Sequence, residues 1–165
     1  KIKKYQFIEI KGFFLEDKSI FFEPRTYKGK VGYHKIVPFK VKDEYILVNR
    51  GFTQKKVIRS NDSSFIKIKG TILKIPSPGY FSLKNDIQSK KWYTLDKVDV
   101  SQYLKLDISP YVLYEKKNDT NNYKKVLPNT ISKVNHLQYA ITWFLLALTM
   151  KTVFIIFLRG KNENK

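Results

Sequence analysis

The sequence contains no cysteine, which excludes disulfide bonds, thiolate metal ligands and cysteine nucleophiles. Glycine is also sparse, and the seven glycines form no phosphate-binding loop. Acidic residues are outnumbered, with 14 Asp and Glu against 32 Lys and Arg among 165 residues. A chain of this length holds one modest core, so we expect a single domain with an appendage.

Positive charge, in contrast, is abundant, and the formal net charge is +18. A charge of this size often indicates a nucleic-acid partner. Here the Lys and Arg residues are scattered singly and in pairs, and the aromatic residues between them follow strand alternation without forming a recognisable RNA-binding module. We therefore predict no nucleic-acid partner.

Catalytic patterns are missing as well. No Ser or Cys nucleophile lies in a motif, and His34 and His136 are far from metal-ligand spacing. The acidic pairs Glu16-Asp17 and Asp43-Glu44 lie at predicted turns, where solvated charge is the usual explanation. We predict that the protein is not an enzyme, and we interpret His34 as a half-exposed strand residue without a role.

Long apolar runs are missing except for residues 139–158, which read YAITWFLLALTMKTVFIIFL. At about 1.5 Å per residue this segment spans roughly 30 Å, the thickness of a bilayer core. The stem of Lys151 can carry its charge towards the interface marked by Arg159, while Tyr139 and Trp143 suit an aromatic belt at the other end. The alternative is a buried helix, but the rest of the chain is too small and too polar to enclose it. We predict a transmembrane helix in contact with lipid.

The region before the connector has strand patterns, in which short runs of Ile, Val, Phe and Tyr alternate with Lys. Residues 65–69 show this alternation best and predict an antiparallel strand with one buried face. Residues 33–41 and 45–52 predict a hairpin that turns at 42–44, with Pro38 at an edge or a bulge. Further strands are predicted for residues 12–15, 19–23, 71–75 and 111–116.

One short helix is predicted for residues 96–104, because Asp96 is a suitable N-cap and Val98, Ser101 and Gln102 recur at helical spacing. The predicted fold class is therefore α+β. We expect a mainly antiparallel β-sheet or open barrel with one short helix, followed by the C-terminal transmembrane helix.

The predicted organisation has four parts, and Ser132 or Asn135 is the expected cap of the last helix. These parts are a β-rich extramembrane domain at 1–116, a polar connector at 117–134, the transmembrane helix at 135–159 and a short basic tail at 160–165.

Four stretches share their order and spacing with a known protein family. They are Gly32-Tyr33 leading to Pro38-Phe39, LVNRGF at 47–52, Trp92-Tyr93 with Asp96, and NHLQYAITWF at 135–144. Together they resemble the Surfeit-locus-1 family of cytochrome c oxidase assembly factors over nearly the whole chain. Phe52 departs from the family, which usually has a Trp after LVNRG.

The resemblance implies a membrane-anchored assembly factor that assists haem a delivery or insertion into the catalytic subunit of cytochrome c oxidase. It also implies haem a synthase as a further partner. The β-domain is expected on the outer face of a bacterial inner membrane, or of the mitochondrial inner membrane, between an N-terminal and a C-terminal transmembrane helix. Because the chain begins at Lys1 without an apolar run, we expect the family's N-terminal helix to be missing here.

The resemblance also implies that His136 is an axial ligand of haem a, with Tyr139 and Trp143 beside it. The residue types agree with this role, since neutral imidazole binds iron and a helix face with His136, Ala140, Trp143 and Ala147 offers small residues and an indole to a porphyrin. The alternative interpretation of His136 is an interfacial polar residue or a hydrogen-bonding helix end. Trp143 is then an interface anchor.

Three further residues are candidates for partner contact or for structural roles. The fork of Arg50, with Asn49 beside it, suits a haem propionate or a carboxylate of a partner, but both residues equally suit a tie between strand ends. Trp92 is interpreted as part of a packing and capping corner with Tyr93 and Asp96, with partner contact as the alternative. If none of these residues binds haem, the alternative function is a membrane-tethered scaffold that stabilises an oxidase assembly intermediate through protein contacts alone.

Overall fold

The computed structural model describes residues 5–58, 64–80, 82–116, 123–124, 126 and 136–163, with the backbone alone described for His136 and residues 161–163. The chain divides into two compact units, Lys1–Pro128 and Asn129–Lys165. Within the described residues, the first unit contains strands β1 (Gln6–Phe14), β2 (Ile20–Tyr27), β3 (Lys30–Val41), β4 (Glu44–Thr53), β5 (Ile66–Lys74) and β6 (Ile108–Glu115), a 3-10 helix (Glu16–Lys18) and helix α1 (Lys97–Leu104). The second unit contains helix α2 (His136–Glu163).

The strands form one sheet in the order β1-β5-β6-β4-β3-β2, and a second pairing of β1 with β3 closes five of them into a barrel. β1 pairs with β5 through residues 6–12, and its last two residues, Phe13 and Phe14, then pair with β3. A Cβ on Gly12 would collide with the carbonyl oxygen of Lys40. Glycine therefore permits the close approach at which β1 changes its partner.

A mainly antiparallel sheet or an open barrel was predicted, and the structure has a mainly antiparallel sheet that is closed into a barrel, because β1 is long enough to pair with two strands. The predicted strand at 12–15 is only the end of β1, and the strands predicted at 65–69 and 71–75 are parts of one strand, β5 (Ile66–Lys74), rather than two. The strand pairs are antiparallel as predicted, except that β4 and β6 are parallel. The parallel direction of β4 and β6 is possible because the chain between them, which includes β5 and α1, is long enough to return to the start of β4.

The predicted hairpin is confirmed, with β3 and β4 paired from Tyr33 opposite Thr53 to Val41 opposite Glu44. The position of Pro38 was predicted wrongly, since Pro38 is buried inside the sheet and pairs with Leu47. Its carbonyl accepts a hydrogen bond from the amide of Leu15. In a β-strand, the N–H and the C=O of one residue point to the same side of the strand. The N–H that proline lacks would therefore point away from β4, to the place where the neighbour of β3 changes from β2 to β1.

Two apolar clusters form the core of the first unit. One is drawn entirely from the barrel strands and includes Phe14, Phe39 and Ile68. The other joins α1 to the sheet and includes Trp92. The alternation predicted at 65–69 holds for the buried Ile68 and the exposed lysines beside it, whereas Phe65 is exposed and its ring lies 5.1 Å from that of Phe13 at a tilted angle.

Helix α1 confirms the predicted helix and its cap, because the side chain of Asp96 accepts a hydrogen bond from the amide of Val98 at 2.7 Å. Val100 and Leu104, which lie four residues apart, are buried, while Val98 is exposed. Most of the predicted connector and both predicted caps of α2, Ser132 and Asn135, lie outside the described residues. The missing N-terminal helix stays a prediction.

Candidate functional site

A cluster of buried charges surrounds Arg50, which lies near the end of β4. The pairing of β3 with β4 passes from Lys35 opposite Gly51 to Ile36 opposite Asn49, so Arg50 is the extra residue of a β-bulge. A bulge re-aims the side chain of its extra residue. Arg50 donates from Nε to Glu115 Oε2 at 2.8 Å and from Nη1 to Glu16 Oε1, and its guanidinium lies 4.0 Å from the ring centre of Phe14.

Lys35 is the second cation of this cluster, and its side chain is fully buried. Its Nζ donates to Glu16 Oε2 at 2.5 Å and to the hydroxyl of Tyr123 at 3.2 Å. Glu16 therefore bridges the two cations, while the ring of Tyr123 lies 5.4 Å from Lys35 Nζ. A lysine this deeply buried is stable as a cation only when such partners replace water.

The charges of the cluster, taken as two cations and two carboxylates, cancel. Burial raises the pKa of Glu115 above its usual range, although the positive charge and hydrogen bond of Arg50 act in the opposite direction. With Nε and Nη1 both bonded to carboxylates, the fork of Arg50 holds together the 3-10 helix, β4 and β6. The structure thus places Arg50 in a tie between elements rather than at an open surface.

Asn49 and Gly51, on either side of Arg50, complete this corner. The side-chain oxygen of Asn49 accepts the amide of Gly51 at 3.0 Å. Gly51 has φ +124°, and a Cβ there would lie 2.5 Å from the carbonyl oxygen of Lys124. Phe52 exchanges two backbone hydrogen bonds with Lys124, at 2.8 and 3.1 Å. Each residue of the Asn-Arg-Gly motif therefore has a structural role in this corner, and Gly51 leaves the space in which the segment Tyr123–Lys124 lies.

Phe52, the residue at which the family usually has Trp, is buried and stacks on Tyr27 at a ring distance of 5.5 Å. Its ring also lies over Gly32, where a Cβ would be 2.7 Å from Phe52 Cζ. Gly32 in the first shared stretch and Phe52 in the second thus fit each other across the hairpin.

Trp92 forms a second buried corner, with an exposure of 1%. Its carbonyl accepts the amide of Glu23 at 2.8 Å, and its ring meets that of Tyr103 edge-on at 5.2 Å. The amide of Tyr93 is bonded to the side-chain oxygen of Asn85, and Asp96 caps α1. The structure thus places Trp92 in packing, as the first of the two interpretations expected.

The segment Leu137–Gly160 of α2 is long and apolar enough to cross a membrane, with a mean hydropathy of 2.1. None of its most apolar window is buried. The hydroxyls of Thr142, Thr149 and Thr152 donate to carbonyls within the helix. Internal bonding of this kind suits a hydrocarbon surrounding, which supplies no hydrogen-bond partners.

Comparison with known proteins matches residues 1–148 to the SURF1 family. The chain belongs to this family. It is 32% identical to a SURF1-like protein of Rickettsia felis over 94% of this chain and 74% of the relative. A SURF1-like protein of Rickettsia bellii is 33% identical over 94% and 70%, and one of Rickettsia prowazekii is 29% identical over 96% and 70%. The SURF1 family is generally associated with cytochrome oxidase assembly, and the resemblance drawn from the sequence motifs is confirmed.

All three residues that the SURF1 resemblance assigns to the cofactor, His136, Tyr139 and Trp143, lie in α2. Tyr139 and Trp143 are both exposed, at 62% and 69%, and α2 begins at His136, whose side chain lies outside the described residues. Asn49 and Arg50 lie together in the bulge of β4, whereas Trp92 lies in a separate corner beside α1.

Four residues of the buried charge cluster were missed or misread by sequence reasoning: Glu16, Lys35, Glu115 and Tyr123. Glu16 was interpreted as a solvated turn residue but is buried. A signal existed for two of the others, because Lys35 alternates with Val37 and Phe39, and Glu115 alternates with Leu113, all on core-facing positions. Tyr123 carried no signal, since it lies in a polar stretch without periodicity.

His34 lies in β3 as predicted and is half-buried between Phe22 and Phe52, its pairing partners on the two sides. Burial, reinforced by the charge of Arg25, lowers the pKa of His34 to about 4. The imidazole is therefore neutral at physiological pH.

Proposed function

We propose that this protein is a membrane-anchored assembly factor for cytochrome c oxidase that assists haem a delivery or insertion into the catalytic subunit, without covalent chemistry of its own. Family membership supports the oxidase-assembly part. The observation that supports the haem part is the start of α2, where an imidazole residue begins an exposed helix with two aromatic side chains in its first turns.

The residues at the start of α2 fit a haem in their chemistry. In the continuous helix, His136, Ala140 and Trp143 follow one another at spacings of four and three residues and so share a face. On that face the imidazole of His136 would bind the iron, Ala140 would leave room for the ring, and the exposed indole of Trp143 would offer it an apolar contact. A bound haem a would be the group transferred to the oxidase, and the protein would supply its ligand and shield its apolar surface.

Membrane anchoring supports the same proposal, because haem a is apolar and its recipient subunit lies in a membrane. A carrier site at the first turns of a lipid-exposed helix keeps the ligand near the bilayer interface, where Tyr139 and Trp143 are the preferred residue types. The proposed location is the bacterial inner membrane or the mitochondrial inner membrane, with the β-domain on the outer face. The proposed partners are the oxidase catalytic subunit and haem a synthase.

A scaffold without haem is the second candidate, and the Arg50 cluster favours it. Arg50 was a candidate for a propionate contact, yet its Nε and Nη1 are bonded to Glu115 and Glu16 inside the β-domain. In this alternative the Arg50 corner maintains a docking surface for the catalytic subunit, and His136 has no ligand role.

Difference spectra separate the two candidates. The chain is co-expressed with haem a biosynthesis, purified in mild detergent, and compared with His136→Ala by reduced-minus-oxidised spectroscopy. His34→Ala is the matched control, because the chain has two histidines and His34 lies in the β-domain. The carrier proposal predicts a haem a band that is lost or shifted in His136→Ala and retained in His34→Ala. Equal bands in all three proteins would exclude His136 as the ligand, and no band in any of them would favour the scaffold.

A further inference from the structure

An open groove with a volume of about 570 Å³ lies beside the start of β2. Four segments form its walls: residues 17–21, the stretch after β4 with Lys56 and Ile58, the stretch before α1 with Lys90 and Trp92, and the end of α1 with Tyr103 and Leu104. Ile20 and Trp92 are buried at 2% and 1%, so they form a fixed apolar floor rather than mobile walls. The volume is within the usual range for ligand sites and is sufficient for a few residues of an extended peptide.

The groove borders the outer edge of the sheet, because β2 is the last strand in the sheet order. The amide of Glu23 points outwards, away from β3, and donates to the carbonyl of Trp92. Alternation along the strand turns the amide of Phe21 and the carbonyl of Ser19 to the same outer side, towards the groove. One residue of an added peptide can therefore bond to both groups, as in strand addition at a sheet edge.

The rim of the groove is basic. Lys18, Lys56 and Lys90 line it, with Asp17 as the one acidic residue among the described lining. Lys56 is paired with Glu23 at 2.8 Å. Lys18 donates to a neutral carbonyl, that of Leu104, at 3.0 Å, and among the described residues no carboxylate pairs with Lys90. The positive charges of Lys18 and Lys90 are therefore available to an acidic ligand.

From these three features we infer that the groove beside β2 binds an extended, acidic segment of a partner protein, with an apolar side chain on the Trp92 floor and the peptide backbone on the edge of β2. The edge groups select an extended backbone, and the lysine rim selects acidic flanks. This site goes beyond the proposed function, since it involves neither α2 nor haem and stands whichever of the two candidate functions holds.

The test uses the full chain in detergent with Trp143→Phe, which leaves Trp92 as the only tryptophan. Its emission is followed while the blocked heptapeptide EDVFVDE is added. The inference predicts saturable binding of this peptide. It also predicts much weaker binding both of QNVFVNQ, in which the acids are replaced by amides, and of an EDVFVDE derivative N-methylated at two alternate residues.

A pair of charge variants locates the site. Combining Lys18→Gln and Lys90→Gln is expected to weaken binding about fivefold, since each exposed pair contributes roughly 0.5 kcal/mol. The control combines Lys67→Gln and Lys69→Gln, which removes the same charge from exposed positions on β5 and should leave binding unchanged. The inference is wrong if EDVFVDE does not bind, if the neutral peptide binds equally well, or if the control pair weakens binding as much. Equal competition by a short single-stranded RNA would also contradict it, because the groove would then be a general polyanion site.

Discussion

The Arg50 corner buries charged side chains, whereas helix α2 exposes apolar ones. At the corner, four ionisable side chains are buried, and each has a partner of opposite charge inside the β-domain. Along α2, large apolar side chains such as Trp143 and Phe144 are exposed. The charges of the Arg50 corner are paired within the β-domain, whereas the apolar side chains of α2 suit an apolar surrounding such as lipid.

The Arg50 corner maintains the fold, whereas α2 is the region to which we assign the proposed function. Buried ion pairs contribute little net stability compared with an apolar core, but breaking one leaves an uncompensated charge. The corner is thus a demanding structural element that specifies how the 3-10 helix, β4 and β6 meet. An exposed apolar helix with aromatic residues at its start instead suits contact with lipid.

The largest effect is expected from Arg50→Ala, which leaves Glu16 and Glu115 buried with half of their charge unpaired. We expect a loss of about 3–5 kcal/mol in the free energy of unfolding. The measurement is urea unfolding of the full chain in detergent, followed by Trp92 emission in a Trp143→Phe background. Lys69→Ala, an exposed position on β5, is the control and should cost less than about 1 kcal/mol. A loss for Arg50→Ala no larger than that of the control would mean that the corner is not the tie described above.

The opposite region is tested by Leu146→Arg near the middle of α2. A charge at the centre of a spanning helix costs about 2.5–3.5 kcal/mol on insertion scales, so the inserted fraction should fall steeply. Glycosylation-site reporters in microsomes measure this fraction, and Leu146→Ile is the matched control. Unchanged insertion of Leu146→Arg would contradict a lipid-spanning α2.

Gly51→Ala is expected to release the Tyr123–Lys124 segment from the corner. The new Cβ meets both a φ of +124° and the carbonyl of Lys124, so a cost of about 1–3 kcal/mol follows. Gly29 also has a positive φ, of +75°, but a Cβ there would have no heavy atom within 4 Å. Gly29→Ala therefore measures the cost of the backbone conformation, and the difference between the two variants gives the cost of the contact with Lys124. Hydrogen exchange at the amides of Phe52 and Lys124 should accelerate in Gly51→Ala alone. Equal rates in the two variants would show that the contact with Lys124 is not required.

His34 predicts a pH effect confined to the β-domain. Its folded pKa of about 4 lies below the ordinary value of 6.5, so the unfolded chain binds the proton first as the pH falls between these values. Stability should therefore decrease over that window, by on the order of 1–3 kcal/mol, and His34→Gln should reduce the slope. Glu115, whose folded pKa is raised, acts in the opposite sense just above 4.5, so the difference between wild type and variant isolates His34. Identical slopes would contradict the buried, neutral imidazole.

The smallest effect is expected at α1. Asp96→Ala removes the N-cap bond to the amide of Val98 and should cost about 1 kcal/mol in urea unfolding. Asp107→Ala is a suitable control, because the side chain of Asp107 is 96% exposed. If both substitutions cost the same, the cap contributes nothing measurable.

The sequence predicted those elements whose pattern is local. The β3–β4 hairpin, the Asp96 cap and the apolar run of α2 each follow from residues within a short stretch, and each is present in the structure. Closure of the barrel was not predictable in this way, because Phe13 and Phe14 of β1 pair with Lys40 and Phe39 of β3, which are far away in the sequence, and because Gly12 permits this approach.

The site divides along the same line. The residues Asn49, Arg50 and Gly51 stood out as a motif, but their task depends on Glu16, Glu115 and Lys124, which are distant in the sequence. A buried glutamate after a strand resembles a solvated turn residue until its partners are known. Lys35 was missed although it alternates with the core-facing Val37 and Phe39, and a lysine at such a position requires a buried partner of opposite charge.

The central claim is that the protein serves cytochrome oxidase assembly through the start of α2. The most direct test deletes the gene in its own host, restores it as wild type, His136→Ala or His34→Ala, and measures haem a content and activity of the oxidase in isolated membranes. The account predicts that oxidase-bound haem a falls in the deletion, recovers with wild type and His34→Ala, and recovers poorly with His136→Ala despite equal protein levels. Normal haem a content and activity in the deletion strain would contradict the account.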